Sequence, residues 1–253
     1  MYRSGNPALN DSTFEKSAYQ GEAANWWGDY ESNLMTIEGT AEKTGILLLI
    51  TATTALATAF SMPGSWPLIP VGFLGGFVIA MIVIISRSMN PMLICAYAAL
   101  EGLALGGITW FFEMSLDVQG IGILAALLTF LLLGAMIAIY RAGLIHWDRN
   151  IAIATYSSLG AIILIYIFSW IGMFVGFEVP YIHGSGPIGI AFSLFVIGIG
   201  ALCLVADFDF IEKGVERGAP KQLEWRAAFG LMVTLVWLYL EILKLLVKLS
   251  SRR

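Results

Sequence analysis

The sequence predicts an all-α integral membrane protein, a bundle of seven transmembrane helices. Three observations carry that prediction. The hydrophobic share is 58% and the charged share only 13%, about half the charge of an ordinary water-soluble domain. The mean hydropathy is +0.80. The apolar residues fall into seven continuous runs, each close to the roughly 20 residues that a helix needs to cross a bilayer.

The runs are taken in order. Residues 1–43 form a polar, acidic tail, expected to be mobile, with a short surface helix over Thr36–Lys43 interrupted by Gly39. The membrane domain then occupies 44–253. The first run, 45–62, closes at Met62-Pro63-Gly64, and the second, 68–86, ends at Arg87. Asn90-Pro91 opens the third, 92–112, and Tyr140-Arg141 ends the fourth, 120–140. The fifth covers 151–176. Gly186-Pro187 opens the sixth, 187–209, and the seventh covers 226–249. Proline, glycine and arginine between apolar runs are ordinary punctuation of helix ends. Strands of a membrane barrel would alternate in polarity over about ten residues, and these runs do not alternate. Small-xxx-small spacings at Gly72/Gly76, Gly102/Gly106 and Gly172/Gly176 predict close helix packing.

Charge gives the orientation. The connections after the first, third and fifth runs contain no Lys or Arg. The tail and the connections after the second, fourth and sixth contain Arg3, Lys16, Lys43, Arg87, Arg141, Arg149, Lys213, Arg217, Lys221 and Arg226. The positive-inside rule puts the N-terminus in the cytoplasm. Seven spans then put the C-terminus outside, against the pull of Lys244, Lys248, Arg252 and Arg253; a full seventh span is preferred to a re-entrant one. There is no apolar leader within 1–44, where seven acids face three bases. No basic patch with interleaved aromatics suggests nucleic acid. Cys95 and Cys203 have no Cys or His at metal-ligand spacing and read as packing residues.

An ionisable side chain inside a span is costly and is a functional candidate by default. Glu101 lies ten residues past Pro91, about 15 Å along the helix and near mid-bilayer. It is either a protonated Glu bonded to a neighbouring helix or a pore carboxylate. Asp207 and Asp209 flank Phe208 at the end of the sixth run, and an i, i+2 pair points to different helix faces. Glu241 lies in the seventh run, where a local pair with a snorkelling Lys244 is the plainer alternative. A buried carboxylate can stay protonated, share a proton with another, or bind a hard cation such as calcium. An enzyme is the weakest class: His146 and His183 show no HExxH-type spacing and stand apart from any nucleophile.

Three stretches carry a family resemblance: Ala96-Tyr97-Ala98-Ala99-Leu100-Glu101-Gly102, Phe208-Asp209, and Leu238-Tyr239-Leu240-Glu241-Ile242. With the order and spacing of the runs, residues 36–250 resemble the Bax-inhibitor-motif family, in its bacterial branch. The resemblance implies a central seventh helix ringed by six and a multi-pass protein of the bacterial cytoplasmic membrane. It also implies a passive, pH-sensitive calcium leak with no cofactor besides the transported ion. It implies that a carboxylate on the sixth helix shares protons with one on the seventh, as sensor and latch. Asp209 matches the first position, with Asp207 as the fallback, Glu241 the second, and Glu101 the acidic position in the pore; the resemblance thereby implies Asp209, Glu241 and Asp207 as the candidate calcium ligands. Two departures stand out. Glu241 is a Glu where the better-known members have Asp, and the connection from Asp209 is long. A turn near Gly218-Ala219-Pro220 would leave Glu241 about 18 Å deeper than the residues facing Asp209, giving a ladder of carboxylates; a direct contact needs a turn near Trp225 or a broken helix. The rival expectation is a membrane-embedded interaction protein that modulates another complex, such as a membrane protease, with the acidic tail as its docking element. A proton-coupled transporter would show paired broken repeats, and none is apparent.

Overall fold

The computed structural model describes residues 33–176 and 184–251. Most of the acidic tail, His183, Arg252 and Arg253 lie outside the described residues. Those that are described form seven long helices: α1 (Ile37–Ser61), α2 (Leu68–Ser86), α3 (Pro91–Leu116), α4 (Ile121–Arg141), α5 (Arg149–Val175), α6 (Pro187–Glu216) and α7 (Leu223–Ser250). All seven are long and apolar enough to cross a membrane. The α7 window is the most buried of them, at 56%, against 17% for α2. Side chains of α2 such as Leu74 and Ile85 lie 65% and 72% exposed, which in a bilayer means contact with lipid.

Two boundaries differ most from the sequence reading. The expected surface helix is instead the first turns of α1, continuous with the span, so the tail boundary at 43/44 falls inside a helix. Thr36 caps it, its side chain accepting from the Gly39 N–H. Gly39 does not interrupt it. The glycine is there because a Cβ would lie 2.4 Å from the Glu224 carboxylate. At the other end of the chain, α6 runs past the expected 209 to Glu216. At 30 residues it is about 45 Å long, well beyond the hydrocarbon core, so Asp207 and Asp209 lie within the helix.

The chain divides into two compact units, and the divisions fall inside α3, α6 and α7. The first holds residues 1–111 and 207–233. There, α1 and α3 meet through glycine. A Cβ on Gly102 would lie 1.8 Å from Thr54 Oγ1, and one on Gly106 2.1 Å from the Ala55 carbonyl oxygen. The Thr51 hydroxyl donates to the Ala98 carbonyl across this contact at 3.0 Å. Gly72 of α2 is equally tight against the α3 backbone, 2.6 Å from Leu100 O. Lipid offers no hydrophobic drive to bring helices together, so such backbone approach supplies the association energy. Threonines 40, 44, 51, 54 and 58 return their hydroxyls to carbonyls four residues earlier, so that none of these five hydroxyls is an orphan donor in a dry setting.

The second unit holds 112–206 and 234–253. Its core is Ile162, Val196 and Ile199, with Tyr166, Phe192 and Trp237 packed against it. Gly200 of α6 admits Leu238 of α7, at 2.6 Å from where a Cβ would stand. The third glycine pair is different: Gly176 has open space around it and a φ of +81°, so it ends α5 as a left-handed cap and takes no part in packing.

Candidate functional site

Glu241 is the most fully elaborated of the intramembrane acids. It lies in the second unit on α7, 2% exposed. The Tyr166 hydroxyl of α5 donates to both its oxygens, at 3.1 and 3.0 Å. Trp237, one turn earlier on α7, donates its indole N–H at 3.1 Å. Lys244, three residues later, completes an ion pair at 2.6 Å and sits 4.6 Å from the centre of the Tyr166 ring. The helical spacing i−4, i, i+3 puts Trp237, Glu241 and Lys244 on one face. Lys244 keeps 40% of its side chain exposed while its ammonium turns in to the carboxylate and the Tyr166 ring. Beyond it, Lys248 donates to the Gly189 carbonyl and the Ser193 hydroxyl of α6, at 3.0 and 2.9 Å. Lys244 and Lys248, two of the four cations near the C-terminus, thus have partners within the protein.

Glu101 lies in the first unit, on α3. It is hydrogen-bonded to Tyr97 one turn earlier, and its carboxylate rests over Gly76 of α2, 3.0 Å from where a Cβ would stand. Tyr97 packs edge-on against Phe229 of α7, with ring centres 4.9 Å apart. A carboxylate therefore stands among three helices of that unit, with a phenol as its partner.

Asp207 and Asp209 divide as the i, i+2 spacing requires. Asp207 is the buried member, 1% exposed. Asp209 keeps 16% of its side chain exposed and pairs with Lys213 at 2.5 Å on the same face of α6. The position expected to be the secondary candidate is therefore the deeper one. The turn between α6 and α7 falls at 217–222, and Trp225 lies inside α7. Both α6 and α7 are continuous through these positions.

A fourth acid belongs with these. Glu224, in the first turn of α7, is wholly buried. One of its oxygens accepts from the Thr36 backbone N–H and hydroxyl, at 2.9 and 3.0 Å. Its other oxygen pairs with Lys43 of α1, whose ammonium also lies 5.7 Å from the Trp225 ring centre. Among the described residues no three His, Cys, Asp or Glu side chains cluster closely enough to hold a metal ion.

A family model described as Bax inhibitor 1 like matches residues 6–251, nearly the whole chain. The chain belongs to the Bax inhibitor 1-like family. Comparison with curated proteins and with solved structures finds no match. As a Bax inhibitor 1-like protein it is a multi-pass membrane protein, and Glu101, Asp207, Asp209, Glu224 and Glu241 stand on its long apolar helices. Sequence reasoning passed over Glu224, Lys43, Tyr166 and Trp237. Glu224 reads as an ordinary interfacial acid, and its partner is 181 positions away. Tyr166 and Trp237 look like aromatic filler in apolar runs. Only the one-turn spacing of Trp237 before Glu241 was a usable signal. His146 is an exposed residue beside Trp147, which packs edge-on against Tyr156.

Proposed function

We propose that this Bax inhibitor 1-like protein is a passive calcium leak in a bacterial cytoplasmic membrane, its N-terminus cytoplasmic. Protons regulate the leak through carboxylates on α3, α6 and α7. The observation that carries this reading is Glu241. A buried carboxylate is held there by a phenol, an indole and a partly exposed ammonium. Protonating it removes the charge that holds Lys244, and a calcium ion offers the carboxylate a competing counter-charge. Glu101 and Asp207 supply further oxygen donors within the apolar part of the chain. Calcium is then cargo, met in passing by few oxygens at a time.

The second reading, an interaction protein that modulates another membrane complex, has its own support. Glu241, Asp209 and Glu224 each already have a lysine partner, as structural acids would. Calcium entry into liposomes holding the purified protein, followed from about pH 5 to about pH 8, separates the two. The variants are Glu241→Gln, Asp207→Asn and Asp209→Asn. A pH-dependent flux that loses its dependence in one of them supports the leak. No flux at any pH rejects it in favour of the interaction protein.

A further inference from the structure

The chain entering α1 is tied to the turn between α6 and α7. Leu34 and Pro220 form an isolated antiparallel bridge. The Met35 N–H donates to the Ala219 carbonyl at 2.7 Å, and the Lys221 N–H donates to the Asn33 carbonyl at 2.8 Å. Pro220 has no N–H of its own, so its neighbours make the bonds. Gly218, with φ +64°, reverses the chain just before them. Met35 is 2% exposed. One residue further on, Thr36 gives both its N–H and its hydroxyl to Glu224, and Lys43 pairs with the same carboxylate.

We infer that residues 33–36 are a strap across the turn between α6 and α7, with Glu224 as its main side-chain fastening. The pairing is one bridge and not a ladder, so it has little strength of its own. Three of the attachments converge on one side chain: the Thr36 N–H, the Thr36 hydroxyl and the Lys43 ammonium. Losing that charge weakens all of them together, and a contact that fails all at once behaves as a catch. What it holds is the tip of the hairpin, and two turns back from that tip α6 carries Asp209 and Asp207. The strap therefore keeps down the part of the first unit that bears the α6 carboxylates. That this restrains flux rests on the calcium-leak reading; that it restrains the hairpin does not.

The test uses two variants of the full chain. The first places Leu34→Cys and Pro220→Cys together, with Cys95 and Cys203 replaced by Ala. Opposed residues of an antiparallel bridge lie about 4.5–5.5 Å apart at Cα, within disulfide range. The second is Glu224→Gln, which keeps the shape and an acceptor while removing the charge. In liposomes, the oxidised double-cysteine protein is expected to pass calcium several-fold more slowly than the same protein after reduction. Glu224→Gln is expected to pass it several-fold faster than the parent. Equal flux before and after reduction overturns the inference. If the reduced protein passes no calcium at all, the leak reading fails and amide hydrogen exchange decides the strap. Faster exchange across 207–222 in Glu224→Gln upholds a strap on the hairpin, and unchanged exchange there overturns it.

Discussion

Glu224 and Glu241 lie on the same helix, are almost equally buried, and are neutralised in different ways. Glu224 belongs to the first unit, and its cation comes from another helix; that lysine is only 14% exposed. Glu241 belongs to the second, and its cation stands three residues away on α7 with 40% of its side chain exposed. A buried pair drawn from two helices fixes those helices, because parting them leaves an uncompensated charge. A local pair with one partly exposed member ties no second helix through its cation and can dissolve and re-form. The first arrangement suits a fastening and the second suits a group that responds to protons and ions.

The largest effect should come from breaking the fastening. Lys43→Ala strands the Glu224 carboxylate and is expected to cost about 3–5 kcal/mol, seen as a lower unfolding temperature in detergent. Lys244→Ala leaves the Tyr166 and Trp237 donors in place and removes a half-solvated partner, so about 1 kcal/mol or less is expected. Equal shifts in the two variants would dissolve the contrast. Next in size is helix contact in the first unit. Gly106→Ala drives a methyl into the Ala55 backbone and is expected to cost about 1–3 kcal/mol. Gly134→Ala, with nothing within 4 Å of the new Cβ, should change stability by no more than about 0.5 kcal/mol. Tyr166→Phe is the finer probe. It removes the donor to both Glu241 oxygens at a cost of about 1–2 kcal/mol, and it should displace the pH profile of flux, whereas Tyr97→Phe acts on Glu101 alone.

The helices were legible because bilayer thickness imposes a length and an apolar run that no soluble element shares. The second run, 68–86, coincides with α2, and the others differ by a few residues to several. The misses share one physical cause. Thr36–Lys43 and Phe210–Glu216 are polar helical extensions beyond the hydrocarbon, where hydropathy falls silent although helix propensity and capping continue. The glycine spacings were informative at Gly72, Gly102 and Gly106, where the sheer absence of a Cβ does the packing. They misled at Gly176, where the same residue type ends a helix. In the site, a carboxylate inside an apolar run announces itself by its cost, which is why Glu101, Asp207 and Glu241 were found. What neutralises it does not, since a phenol on another helix or a lysine far away in sequence leaves no local trace. The pair at Lys244 was the exception, visible because its partner was one helical turn away.

The most direct measurement sets the two carboxylates of α7 against each other. Calcium flux into liposomes is followed against pH for the parent chain, Glu241→Gln and Glu224→Gln. The expected result is a flat profile for Glu241→Gln, and for Glu224→Gln a higher flux that keeps the parent's dependence on pH. A Glu241→Gln protein with the parent's pH profile would contradict the assignment of Glu241 as the responding group.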